Sequence, residues 1–125
     1  MFENTKAFSG FSVDDIPTAK RFYSETLGLE VTEENGMLTL HIAGDRPTLV
    51  YPKADHVPAE FTILNFPVAD IVAAADELAG RGVSFERYET MEPDFDEHGI
   101  FRGGGPPIAW FKDPAGNVLA VLEQS

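Results

Sequence analysis

FSVDDIPTAKRFYSETLGLEV, residues Phe11 to Val31, reads as a strand, a capped helix and the start of a second strand. Phe11 and Val13 alternate with Ser12, the period of a half-buried strand. Asp14 and Asp15 suit the cap of a following helix, and Pro17 suits its first turn, where a missing N–H costs nothing. Ile16, Ala19, Phe22, Tyr23 and Leu27 then fall at helical spacing and form one apolar stripe. Gly28 stops that helix in a left-handed cap. The same unit recurs from Phe61. Val68-Ala69-Asp70-Ile71 repeats Val13-Asp14-Asp15-Ile16, and Ala74 stands where Ala19 does.

Working outward, the expected strands are Lys6–Val13, Leu29–Glu33, Met37–Ile42 and Thr48–Tyr51, with the helix over Ile16–Thr26. Asn35-Gly36 makes a hairpin of the second and third strands, and Gly44-Asp45-Arg46-Pro47 turns the chain into the fourth. Residues 53–59, with prolines on either side of a charged run, form a linker. The second half then supplies a strand at Phe61–Val68 and a helix with the stripe Ile71, Ala74, Ala75 and Leu78. Strands at Val83–Arg87, Ile108–Phe111 and Asn117–Leu122 follow. A long segment, Tyr88–Pro107, carries an acidic cluster and Gly103-Gly104-Gly105, and reads as a mobile, solvated loop able to act as a flap. The order is β-α-β-β-β twice: one domain over 1–125, with an internal repeat of 1–52 and 60–125. That order implies an α+β fold, a curved mixed sheet with helices on its outer face and a concave cup on the other.

The chain has 125 residues, 43% of them hydrophobic, enough for a core. There is no cysteine, so disulfides and thiolate zinc sites are excluded. The formal net charge of −12 argues against nucleic acid and against an anionic membrane surface. The amino-terminal residues lack a signal-peptide pattern and no apolar run reaches membrane-spanning length, so a cytoplasmic protein is expected.

VDDIPTAKRFYSETLGLEV, followed late in the chain by WFKDPAGNVLAVLE, resembles the glyoxalase / bleomycin-resistance / extradiol-dioxygenase superfamily, the vicinal oxygen chelate fold. The resemblance spans nearly the whole chain. It implies a metal held by His, Gln or Glu side chains from four strands. Two of these stand seven residues before each capping aspartate, and a third three residues after the asparagine of DP-x-GN. Here those positions hold Phe8, Ile63 and Ala120, none of which can coordinate a metal. The fourth falls on Thr48 or Tyr51. The expectation is therefore a protein without a metal or other cofactor, its cup shaped for an apolar or aromatic small molecule, cationic compounds included. The resemblance also implies a homodimer.

If Phe8 and Ile63 face the cup, alternation puts Lys6, Gly10, Ser12, Phe61 and Asn65 there as well. The ligand-binding candidates are Phe8, Tyr51, Ile63, Asn65, Trp110 and Arg102. Gly10 either admits a ligand to the backbone or relieves crowding in the sheet. Asn65 needs a partner if buried. His41 and Glu123 are the candidates for acid–base work, each with a plainer reading as a strand or sheet-end residue. His56 lies in the linker and can reach the cup mouth, whereas His98 sits in the acidic run, whose spacing is not that of a calcium loop. No serine occupies a nucleophile-elbow context. Three functions follow. The first is sequestration of a small molecule. The second is a glyoxalase-like lyase or isomerase, or a dioxygenase-related enzyme, with a rearranged metal or acid–base site. The third is a dimerisation or regulatory module whose cup its own side chains fill.

Overall fold

Both capping aspartates act as the repeat requires. Asp15 and Asp70 are extended, with φ of −141° and −132°. Their carboxylates accept from the backbone N–H of Thr18 at 3.2 Å and of Ala73 at 3.1 Å. Each thereby satisfies one of the donors that a helix start leaves open. A computed structural model describes residues 1–44 and 46–124, so the Asp45 part of the expected turn at 44–47 lies outside the described residues.

The chain divides into two compact units, Met1–Val57 and Pro58–Ser125. The first holds β1 (Gly10–Val13), α1 (Ile16–Arg21), β2 (Glu30–Glu34), β3 (Met37–His41) and β4 (Thr48–Pro52). Its sheet runs β1-β4-β3-β2, with β1 parallel to β4 and the other pairs antiparallel. Asn35 and Gly36 have φ of 55° and 76°, the left-handed pair that a two-residue hairpin demands. One sheet face buries Val13, Leu38, Leu40, Thr48 and Val50. Against it lies α1 with Ile16 and Ala19, followed by Tyr23. Burial of each large apolar side chain there stabilises by about 1.5–3 kcal/mol.

One expectation for this unit is corrected, the start of its first strand, while the helix spans Ile16–Thr26 as expected. The first strand begins at Gly10 rather than Lys6, so Phe8 precedes it and stands 62% exposed. The helix keeps its α geometry only to Arg21 and continues over Phe22–Thr26 as a π-helical turn, closed by Leu27 N–H on the Phe22 carbonyl at 3.0 Å. Gly28 follows with φ of 72°, as the cap requires. The alternatives at Gly10 resolve toward the sheet. A Cβ there would stand 3.0 Å from the Leu49 carbonyl oxygen, so β4 passes too close for a larger residue to fit without a shift.

The second unit holds β5 (Thr62–Val68), α2 (Ile71–Gly80), β6 (Ile108–Lys112) and β7 (Val118–Glu123), in the order β5-β7-β6. Its first strand is again parallel to its last. The likeness extends to the strand ends: Lys53 N–H reaches the Val13 carbonyl at 2.9 Å, and Gln124 N–H reaches that of Val68 at 2.8 Å. Ile71 and Ala75 of α2 are buried on the face that holds Ala109, Phe111, Leu119 and Val121.

The expected strand at Val83–Arg87 is reduced to one bridge, Phe85 to Phe111. The segment after it leaves the sheet to build a separate lobe, so only one residue pairs. The fold class is α+β, two successive modules each with a mixed sheet and a main helix. Among the described residues no helix is long and apolar enough to cross a membrane.

Candidate functional site

Register decides which side chains meet on the helix-free face of the second sheet. Asn65 pairs with Ala120, and Ala120 with Trp110, so the three form one row across β5, β7 and β6. A register shift between Thr62 and Leu64 makes Ile63 the extra residue of a bulge. The expected alternation of Phe61, Ile63 and Asn65 is broken there, and Thr62 becomes the residue that meets the tryptophan. Trp110 Nε1–H donates to Thr62 Oγ1 at 3.1 Å. Asn65 is exposed, so its amide needs no protein partner.

Trp110 is the centre of an aromatic group. Its ring lies 5.6 Å from Tyr88, 6.2 Å from Phe95 and 5.9 Å from Phe101, with Phe95 and Phe101 5.4 Å apart. These are edge and tilted geometries, which the ring quadrupoles favour. Arg87 stands over Phe95 at 5.6 Å in a cation–π contact. Trp110, Tyr88 and Phe101 remain half-buried, leaving aromatic surface at the rim. Burial, with Glu86 close by, pushes the Tyr88 phenol above its ordinary range, so it stays a neutral donor.

Residues 88–107 are therefore not a free flap. Phe95 is only 7% exposed and Ile100 is fully buried. Bridges run from Phe95 to Phe101 and from Phe101 to Ile108. Asp96 organises the turn. One carboxylate oxygen accepts from His98 N–H at 2.8 Å and Ile100 N–H at 2.9 Å, and the other from Arg102 Nε at 3.0 Å. Arg87 donates to the Asp96 carbonyl and pairs with Glu92 at 3.2 Å. His98 lies 3.3 Å from Asp76 of α2. Arg102 thus engages Asp96, and the acidic run is a packed lobe.

Burial opposes ionisation of Asp96, but the N–H groups of Ile100 and His98 and the Arg102 guanidinium outweigh it and hold its carboxyl below the ordinary aspartate value. A depressed folded-state value means stability that is present above the unfolded value and is lost as pH falls through the folded one. Asp96→Asn is expected to lose about 1–3 kcal/mol at neutral pH. It also flattens the decline in urea midpoint between neutral pH and about pH 3. Equal declines in both proteins would remove Asp96 from the acid response.

In the first unit, β1 and β4 bring Ser12 beside Tyr51 on the helix-free face. His41, on the same face of β3, is exposed and its Nε2 lies 2.9 Å from Thr32 Oγ1. The pairing that sequence reading missed is Ser12 Oγ with His56 Nδ1, 2.6 Å apart across 44 positions. Strand alternation and the linker position single out each residue separately, but nothing local joins them.

Glu123 is committed elsewhere. Its carboxylate accepts from Ile71 N–H at 3.1 Å, a second cap on α2 beside Asp70. The DP-x-GN turn is likewise structural. Asp113, 4% exposed, accepts from Ala115 N–H at 3.0 Å, Asn117 N–H at 2.9 Å and Asn117 Nδ2 at 3.0 Å.

The residues present do not fit a metal. Phe8 is exposed, Ile63 lies in the bulge and Ala120 is buried against neighbouring strands. Among the described residues there is no group of three or more His, Asp or Glu side chains that could hold an ion.

Solved structures share the architecture. A glyoxalase family protein from Enterococcus faecalis is 23% identical, with a TM-score of 0.70 over 98% of this chain and 100% of that one. TnmS3, an antibiotic binding protein from Streptomyces sp. CB03234, is 23% identical, with a TM-score of 0.66 over 95% of this chain and 96% of its own. The fosfomycin resistance protein FosX from Mesorhizobium loti is 12% identical, with a TM-score of 0.67 over 100% of this chain and 95% of its own. No curated protein matches the chain. The family model for the Glyoxalase/Bleomycin resistance protein/Dioxygenase superfamily matches residues 8–121, so on fold and sequence together the chain belongs to that superfamily.

Proposed function

We propose that this protein captures a small apolar or aromatic molecule without a metal, using the aromatic face around Trp110. The observation that carries the reading is the conjunction of two features. The superfamily's ligand positions hold Phe8, Ile63 and Ala120, and the helix-free face of the second sheet presents partly exposed Trp110, Tyr88 and Phe101 beside Asn65. Planar rings offer a stacking surface, while the Asn65 amide and the neutral Tyr88 phenol offer polar anchors for orientation. The net charge of −12 favours a ligand carrying positive charge. TnmS3, described as antibiotic binding, has the same fold and lends this reading support.

The same reading includes a homodimer, for which exposed Phe8, Val57 and Phe61 offer apolar surface. A cytoplasmic setting suits a chain with no cysteine to oxidise.

Trp110 is the only tryptophan, so its fluorescence reports the site directly. A panel of planar aromatic compounds, neutral and cationic, is expected to contain ligands that quench it saturably. The same compounds raise the melting temperature by mass action. Metal analysis of untagged protein is expected to find far less than one ion per chain. Near-stoichiometric metal required for that quenching would replace this reading with the metalloenzyme one. A panel without any quenching or thermal shift would remove the aromatic face as a binding site.

A further inference from the structure

The geometry points to a second chemistry in the first unit, independent of the aromatic face: Ser12 and His56 form a nucleophile–base pair that accepts an acyl group from activated esters. Ser12 Oγ lies 2.6 Å from His56 Nδ1, within the range at which an imidazole can take a hydroxyl proton. Both residues are half-buried, so the pair is held by its surroundings yet reachable.

The backbone aims the imidazole. Lys53 N–H on the Val13 carbonyl at 2.9 Å ties the end of β4 to β1, and His56 N–H on the Lys53 carbonyl at 3.0 Å turns the chain back. His56 is thereby brought over the strand residue next to Val13. Tyr51 is the register neighbour of Ser12 on the helix-free face. With Nδ1 as acceptor, the neutral ring carries its proton on Nε2, the tautomer a base facing Ser12 needs.

The step balances without any redox partner. Ser12 Oγ adds to the ester carbonyl carbon as its proton passes to His56 Nδ1. The bond from that carbon to the leaving oxygen breaks, and the leaving group takes the proton from Nδ1. Water, deprotonated by the same nitrogen, then attacks the acyl-serine and releases the acid, returning the proton to Ser12 Oγ.

The probe is p-nitrophenyl acetate with the full-length protein. The expected result is a burst of p-nitrophenolate with one acetyl group on the intact protein, mapped to the peptide containing Ser12. Ser12→Ala abolishes the burst, and His56→Gln slows it at least about 100-fold, the usual span of general-base assistance. Ser84→Ala, an exposed serine of the other unit, leaves it unchanged. Melting curves check that each variant folds. Peptide mapping of the unmutated protein decides the matter even where a variant does not. Acetyl found only on lysines or the amino terminus, or no acetylation at all, would overturn the inference. A burst that survives Ser12→Ala but disappears in His56→Gln would overturn it too, since the imidazole would then be the nucleophile.

Discussion

Phe111→Ala lowers the unfolding free energy by about 3–5 kcal/mol, whereas Trp110→Ala, one residue away, costs about 1–3 kcal/mol and removes the ligand response. Neighbours on a strand face opposite sides of the sheet. Phe111 is fully buried on the side that packs α2, edge-on to Phe85 at 6.0 Å, so truncation leaves a cavity the core cannot fill. Trp110 is half-buried at the rim, and its loss removes three ring contacts and the bond to Thr62. Urea unfolding followed by circular dichroism measures the first effect, and melting shifts with a ligand that quenches wild-type Trp110 measure the second. Trp110→Phe keeps a ring but loses the Nε1–H donor, and is expected to retain most stability while weakening capture. A Trp110→Ala protein with an undiminished thermal shift would place the ligand elsewhere.

Asp113→Ala is expected to cost about 3 kcal/mol or more, an unusual loss for a turn residue. One carboxylate serves three donors, two backbone and one the Asn117 amide, and both side chains are almost wholly buried. Removing it takes a buried charged acceptor from those donors, which costs more than the net worth of the bonds. The turn also joins β6 to β7, so its loosening reaches the strand that carries Trp110. Asp113→Asn keeps an acceptor oxygen and recovers part of the loss. A midpoint change in Asp113→Ala within that of an ordinary surface substitution would show that the turn holds its shape through Pro114 and Gly116 instead.

Much of the architecture was legible because its signals are local. A carboxylate three residues before an open N–H caps a helix wherever it stands, so Asp15 and Asp70 could be recognised from spacing alone. Asn35-Gly36 tolerates the left-handed turn that other residues resist. The absence of metal donors at Phe8, Ile63 and Ala120 was likewise a matter of residue type. Arg102 reads as a ligand-binding candidate until Asp96 is placed beside it, and Glu123 as a candidate for acid–base work until β7 delivers it to the start of α2.

The sequence by itself determined the repeated module, its caps and turns, and the apolar character of the superfamily's ligand positions, since each depends on a few adjacent residues. Only the tertiary structure decided the site. The bulge at Ile63 moved Thr62 rather than Ile63 to the tryptophan, because a shift of one residue in a ladder exchanges the faces of a strand. The acidic segment became a packed lobe because Phe95 packs on Trp110 of β6 and Ile100 is buried. Ser12 met His56 because parallel pairing of β1 with β4 carries the linker back past the first strand. Such contacts depend on register and chain path, which no short stretch of residues encodes.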